Sequence, residues 1–304
     1  MRSTLILKSD RTDFERFYIQ NMHKNNVVTM PIYKFNHGLG WYIQVLWIEK
    51  LNLPFGNFFY GKWKKNISKY DTVIVFDRNL NWNIFTWIKK KNPVSRCIAW
   101  YWNPIQNAVE KCIPENVKEL CEVWSFDHID CDRFNYKKNV QFYFHQVGDR
   151  KKATMYDAFF VGVDKGRYAQ VNEIINCLKQ CNLKTFQGIV ADKNSVNHRE
   201  YIDALPYEKI LYLIQNSKCI IDVPQENQEG MTLRVLESLF WSKKLITTYE
   251  GIEEFAFYNS NNILIWGRAT LSEIKTFFEK PYEPVDWNII NRYSFENWLK
   301  NFGI

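Results

Sequence analysis

The chain has 304 residues, which suggests about two domains of ~150 residues each, and its 46% hydrophobic content can fill both cores. Its formal net charge of +7 is lopsided: residues 1–150 carry 22 Lys/Arg against 14 Asp/Glu, and residues 151–304 carry 18 against 19. No run of roughly 18 apolar residues occurs, which excludes a membrane-spanning helix, and the short apolar start is no signal peptide, so a cytoplasmic location is expected.

In the first half, TLILKS (4–9) is a short apolar run, followed by a polar segment and the β-rich VVTMPIY (27–33). Gly38-Leu39-Gly40 opens a helical pattern, WYIQVLWIEKL. TVIVFD (72–77) is a continuous β-branched run ending in Asp77, as a buried parallel strand does. NWNIFTWIKKK predicts a helix closed by its basic last turn and Pro93. RCIAWYW (96–102), EVWSFD (122–127) and VQFYFH (140–145) predict further strands. Between Gln146 and Thr154 the pattern turns polar and loses its period, which predicts a domain boundary at about residue 150.

The second half keeps the same rhythm. DAFFVGV (157–163), LKTFQGIVAD (183–192), CIIDVP (219–224), KLITT (244–248) and NILIW (262–266) predict strands. AQVNEIINCLKQCN, PYEKILYLIQNSK, MTLRVLESLFWSK, LSEIKTFFEK and YSFENWLKNF predict the helices between and after them. Strands alternating with helices argue for βα units and parallel sheets. Seven Cys, at 97, 112, 121, 131, 177, 181 and 219, form no C-x-x-C pair and have no His partners in register, so reduced thiols and no zinc are expected. The 17% aromatic content fits either compositional drift or stacking surface for sugars or bases.

Three segments carry the chemistry. In CIIDVPQENQEGMTLRVLESLFWSKKLITT a buried strand ends at Val223-Pro224, and a helix starts near Met231 or Thr232. A helix N-terminus after a strand's carboxyl end offers free N–H groups and partial positive charge, which suits a diphosphate. Gly230 lets the backbone approach such a ligand, Glu229 stands just before the helix, and Glu237 lies about two turns inside it. A carboxylate accepts two hydroxyl hydrogen bonds at once, as a ribose diol requires. The loop Gly162-Val163-Asp164-Lys165-Gly166-Arg167 follows its domain's first strand and presents two cations. Asn36-His37-Gly38-Leu39-Gly40 sets two glycines before a helix.

Glu229 and Glu237 form E-x7-E, and the strand–loop–helix–strand around them resembles the donor half of GT-B glycosyltransferases over about residues 155–268. The succession FVGVDKGR, SKCIIDVPQENQEGMTLRVLESLFWSKKLITT, FYNSNNILIW is similar to bacterial enzymes of capsule, exopolysaccharide or lipopolysaccharide assembly. In the first half, WSFDHIDCDRFN looks like the pre-linker segment of that group. The resemblance implies an α/β GT-B fold, two Rossmann-like domains with parallel sheets facing across a cleft. Residues 1–150 would bind the acceptor and 151–285 the donor, with the closing helix, 286–304, packing back on the first domain.

The resemblance also implies roles. Glu229, Lys165 and Arg167 would act at the reacting centre, Glu229 on donor-sugar hydroxyls and the cations on the leaving diphosphate. Glu237 would hold the ribose. Gly162, Gly230, Met231, Thr232, Leu233 and Arg234 would meet the nucleotide's phosphates, and His37, Gly38 and Gly40 would border the acceptor. The expected partners are a nucleotide-diphosphate sugar, as donor substrate and not as cofactor, and a glycan or lipid-linked glycan acceptor. Peripheral contact with anionic membrane is also expected.

Asp130-Cys131-Asp132 spells D-x-D, a metal motif of GT-A enzymes, but that reading leaves Glu229 and Glu237 unexplained, so no metal is expected. An inverting transferase would need a base, and Asp10, Asp13, Asp77 and Asp127 all lie near predicted strand ends. Two other readings stay open: a sugar-nucleotide epimerase on the same fold, and a basic nucleic-acid-binding protein. No Arg stripe, zinc pattern or RNA-binding aromatic motif supports the latter, and nucleic acid is not an expected partner.

Overall fold

The all-apolar runs become the central strands. In the computed structural model, the described residues are 3–23, 26–51, 53, 55–77, 82–105, 113–145, 154–193, 195–196, 200–225 and 230–304. They group into two compact units, Met1–Val140 with Leu299–Ile304, and Gln141–Trp298.

The first unit holds a parallel sheet of β1 (Thr4–Lys8), β2 (Val27–Pro31), β3 (Thr72–Phe76), β4 (Arg96–Tyr101), β5 (Glu122–Ser125) and β6 (Lys137–Lys138), in the order β2-β1-β3-β4-β5-β6. Every residue of β1 and β3 is buried, which is why both read as unbroken apolar runs rather than alternating ones. Helices α1 (Asp13–Asn21), α2 (Gly38–Val45), α3 (Asn83–Lys91), α4 (Glu115–Lys118) and α5 (His128–Phe134) fall between the strands. A capping box of Thr12 and Glu15 starts α1, within what the sequence shows only as a polar segment. A π-helical turn, Leu46–Lys50, extends α2.

The second unit orders its parallel strands β11-β10-β9-β7-β8, from β7 (Tyr156–Val163), β8 (Thr185–Val190), β9 (Ser217–Asp222), β10 (Lys244–Thr247) and β11 (Ile263–Ile265). Its helices are α6 (Tyr168–Gln180), α7 (Tyr207–Gln215), α8 (Leu233–Trp241), α9 (Leu271–Glu279), α10 (Trp287–Asn291) and α11 (Phe295–Asn301). Both units are therefore Rossmann-like α/β, as the strand–helix alternation predicts. In each sheet the unit's first strand lies between its second and third. The connections thus reverse beside β1 and β3 in one unit, and beside β7 and β9 in the other. Open α/β sheets bind ligands outside the carboxyl ends of the strands at such a switch point.

Two boundaries differ from expectation. The units divide after Val140, not at 150, because the expected strand 140–145 packs into the second unit. Tyr143 only bridges Ser294, while Phe142 lies 5.4 Å from Phe295 and 4.5 Å from Trp298, ring to ring. Of the expected closing segment 286–304, only Leu299–Ile304 groups with the first unit. There Phe302 packs edge-on against Trp124 at 4.8 Å, and Asn301 donates to Asn139 at 2.7 Å. Among the described residues, no helix is long and apolar enough to cross a membrane.

Candidate functional site

The site forms where β7 ends. Asp164, buried there, accepts from the Tyr168 amide (3.0 Å), the Tyr201 hydroxyl (2.7 Å) and the Ser195 hydroxyl (3.3 Å), which fixes the following turn. Lys165 (φ 47°) and Gly166 (φ 83°) are both left-handed, so the chain doubles back before α6. Arg167 is thereby directed over the end of the sheet. Its Nε and Nη2 donate to the Val163 carbonyl (3.1 and 3.0 Å), and its Nη1 to the Val223 carbonyl at the end of β9.

Arg234, in the first turn of α8, reaches the same place and donates to the Val161 carbonyl. Both guanidinium carbons stand 5.2 Å from the centre of the Phe160 ring. Gly162 makes room for the pair: a Cβ there would lie 2.6 Å from Arg234 Nη2 and 2.8 Å from Arg167 Nη2. Two cations at that range repel unless anions lie near. Asp222, fully buried at the end of β9, supplies part of the balance, and it accepts from the hydroxyls of Thr232 (2.8 Å) and Thr247 (3.1 Å). Burial raises the Asp222 carboxyl above its usual range, while Arg234 and Arg167 pull it back. Burial, and then the charge of Arg234, push Arg167 down to about 9. A further anion at this point would relieve that repulsion.

A cavity of about 470 Å3 opens at Arg167, the member of the pair that lines it, together with Lys165, Gln170, Pro224, Thr248 and Tyr249 among others. It lies at the carboxyl ends of β7, β9 and β10, at the switch point of this sheet. A larger cavity, about 570 Å3, lies by edge strand β11 and α9. Its Arg268 is already bonded to Glu253 (2.8 Å) and Glu250 (2.9 Å), which makes it the poorer anion site.

The predicted residues meet different fates. Lys165, Arg167, Gly162 and Arg234, from two separate segments, converge. Gly230 has φ 130°, a conformation that favours glycine. Met231 and Thr232 are buried, and Leu233 is half-buried. The Thr232 hydroxyl is spent on Asp222 and does not cap α8. Glu229 lies outside the described residues. Glu237 is only 4% exposed, and its Oε1 accepts from the Tyr207 hydroxyl at 2.7 Å. The Tyr207 and Tyr143 hydroxyls share a second bond of 2.8 Å, so one oxygen of the expected ribose ligand is already engaged by a buried tyrosine chain. Burial pushes Glu237 up to about 7.

In the first unit, Gly38 (φ 72°) turns the chain into α2, Gly40 lies against the Phe35 ring, and His37 is exposed and bonded to Asn36. Asn36 donates to Asp10 at 3.2 Å, which brings this loop to the carboxyl end of β1. Asp77, at the end of β3, is buried and pushed up to about 6 by burial, against the Asn103 amide and the Lys8 charge. Asp13 pairs with Arg16 in the first turn of α1, and Asp127 caps α5, so helix ends account for both. Asp130 and Asp132 lie two apart in α5, where side chains diverge, and Asp130 accepts from the Ile105 amide at 2.8 Å.

Sequence reasoning missed Asp222, Phe160, Thr247, Thr248, Tyr249 and the tyrosines beneath Glu237. Asp222 left a readable signal, a lone carboxylate closing the apolar run CIID. The others look like ordinary strand, loop and helix residues.

No protein-family model matches the sequence, and no curated protein does. Among solved structures, the chain is similar to the glycotransferase of kitacinnamycin, at 8% identity and TM-score 0.41, covering 100% of this chain and 96% of that one. It is also similar to NAD+-bound 3-phosphoglycerate dehydrogenase of Entamoeba histolytica (10% identity, TM-score 0.27, 99% and 94% covered). A third is a phosphoglycerate oxidoreductase of Vibrio cholerae (9%, TM-score 0.26, 100% and 99%). All three TM-scores lie below 0.5, too low to assign the chain to any one of these folds.

Proposed function

We propose that the chain is a glycosyltransferase of the GT-B type, binding a nucleotide-diphosphate sugar in its second unit and an acceptor glycan, free or lipid-linked, in its first. The observation that carries the reading is the Arg167–Arg234 pair over Gly162, beside a cavity at the switch point. Transfer breaks the bond between the sugar's anomeric carbon and the diphosphate oxygen and joins that carbon to an acceptor hydroxyl. Negative charge gathers on the departing diphosphate, and preorganised cations stabilise charge that develops in the transition state. Arg167 and Arg234 would meet the phosphates, with Lys165 at the cavity mouth. Glu229 would orient donor-sugar hydroxyls, and Glu237, held by Tyr207, the ribose. An inverting reaction would send the acceptor proton to a carboxylate. Asp10 and Asp77 are the two candidates not accounted for by helix ends.

The test is a thermal-shift series with UDP, GDP, dTDP and CMP. At least one diphosphate raises Tm, by an amount growing with the logarithm of its concentration above Kd. Arg234→Ala weakens that ligand by roughly 10- to 100-fold, the loss of one charge-assisted hydrogen bond. No shift with any of the four nucleotides sinks the proposal.

A further inference from the structure

The sheet of the second unit treats its two edges differently. At β8 a later segment of the chain closes the edge: Ile202 bridges Val190 in parallel, and its amide donates to the Ile189 carbonyl at 2.8 Å. At the opposite edge, β11 is held to β10 through alternate residues. Asn262 accepts from the Leu245 amide and Trp266 donates to the Thr247 carbonyl, both at 2.8 Å, with Leu264 between them in the ladder. Alternate residues of a parallel strand direct their backbone groups to opposite sides, so Ile263 and Ile265 face away from the sheet. The Ile263 amide is taken by the Asn259 carbonyl at 2.8 Å, and the Ile265 carbonyl accepts from the Arg268 amide at 3.4 Å. Among the described residues, no hydrogen-bond partner faces the Ile263 carbonyl or the Ile265 N–H.

The cavity of about 570 Å3 runs along this edge. Helix α9 walls it with Ser272 and Thr276, both exposed and one turn apart, and Tyr258 and Asn259 stand among its other lining residues. A trench between a helix and an edge strand, with an outward carbonyl and N–H on that strand, suits an extended peptide that adds itself as a further strand. One incoming residue, running parallel, can donate to Ile263 and accept from Ile265, the kind of bridge that Ile202 makes at β8. The charge around the trench is acidic in a chain of net charge +7. Residues 250–283 hold six glutamates (250, 253, 254, 273, 279 and 283) against Arg268, Lys275 and Lys280. Arg268 is occupied by Glu250 and Glu253. Lys244, behind the strand, is turned inward: it is bonded to the Asn261 carbonyl and lies 4.3 Å from the centre of the Phe277 ring.

We propose that an extended segment of a partner protein, with basic residues at alternate positions, docks in this trench and adds a sixth strand beside β11. Backbone hydrogen bonds hold the segment, and the glutamates select its charge. A second copy of this chain, pairing edge to edge about a two-fold axis, would set one glutamate cluster against another. The inference does not depend on the reaction proposed above.

The probe is a blocked, fluorescein-labelled octapeptide of alternating lysine and valine, with a glutamate–valine octapeptide as its control. Anisotropy titration of the full chain gives saturable binding of the lysine peptide with Kd below about 1 mM, and none of the control. The bound peptide slows hydrogen exchange at the Ile265 amide. Thr276→Trp fills the trench from an exposed helix position, and Ile265→Pro removes the outward N–H at an edge, where proline is tolerated. Each weakens binding at least about fivefold. Glu283→Lys, at an exposed site, weakens it about threefold. Melting of Thr276→Trp stays as in the parent, so its loss of binding is not a loss of fold. Failure of the lysine peptide to bind, or equal binding of the control, overturns the proposal. Binding that leaves exchange at Ile265 unchanged, or that Thr276→Trp does not weaken, does the same. A dimer in solution that Thr276→Trp dissociates would give the edge to a second copy and equally overturn it.

Discussion

A methyl group at Gly162 would stand within contact distance of two guanidinium groups, each the far end of a flexible side chain. Both can swing aside at little cost to the fold, but neither can then keep its place over Phe160. Gly162→Ala is therefore expected to leave Tm nearly unchanged while weakening a bound nucleoside diphosphate about tenfold, one charge-assisted hydrogen bond's worth. Calorimetric titration beside a melting curve separates the two effects, and a large drop in Tm with intact affinity would contradict this reading of the pair. Glu237 makes a second residue-level case. Its carboxyl, ordinarily near 4.5, is pushed up to about 7 by burial, with the Tyr207 bond and Arg234 opposing. Below about pH 4.5 both folded and unfolded chains hold the proton. As pH rises toward 7 the unfolded chain releases it first, so stability falls by roughly 3 kcal/mol across that window. Glu237→Gln keeps an acceptor for Tyr207 and removes the titration. Its Tm should fall less than the parent's between pH 5 and 8. Asp77 contributes to both curves alike, so parallel curves would count against the assignment.

At the scale of elements, the sequence was legible where burial dictates composition. The central strands β1, β3, β7 and β9 are apolar through most of their length because helices cover both faces, and each was readable to within a few residues. Helices α3, α6 and α9 carry one apolar face each and were equally plain, as was α8, which is buried on all sides from Val235 to Trp241. The segment 140–145 misled, because its aromatic alternation imitates a strand while its rings serve as packing for Phe295, Trp298 and Phe240. Helix α5 went unread because its seven residues hold five charged or titratable side chains, His128, Asp130, Cys131, Asp132 and Arg133, in a short span. At the site, local chemistry was legible and convergence was not. Arg167 and Arg234 each carried a readable charge beside a strand end or helix start. Their common seat over Gly162 and Phe160 depends on strand order, which no window of sequence contains. Glu237 illustrates the converse: its spacing from Glu229 suggested an open ligand, while the tyrosines that bury it come from α7 and from the 141–145 segment.

At the scale of the whole molecule, the chain builds two cores and returns to the first for its last six residues. In α11, Phe295 and Trp298 belong to the second unit, and Leu299 onward belongs to the first. Phe302 is the anchor of that return: it is 3% exposed, lies edge-on to Trp124 and Trp100, and offers its carbonyl to Arg96. Arg96 is also held by Glu122 at 2.6 Å, so the anchor closes on β4 and β5 together. Truncating a buried phenylalanine costs about 3–5 kcal/mol. Because Phe302 and its partners Trp100, Trp124 and Arg96 all belong to the first unit, that cost should fall on the first unit. Phe302→Ala is expected to split melting into two steps, the earlier one belonging to residues 1–140. A nucleoside diphosphate that stabilises the parent chain should still raise the later step by its usual amount, since Arg167, Arg234 and the cavity all lie in the second unit. Differential scanning calorimetry with and without that nucleotide reads both quantities. A single step displaced as a whole, or loss of the nucleotide shift, would mean that the two cores melt as one cooperative body and that the last six residues support the donor site as well.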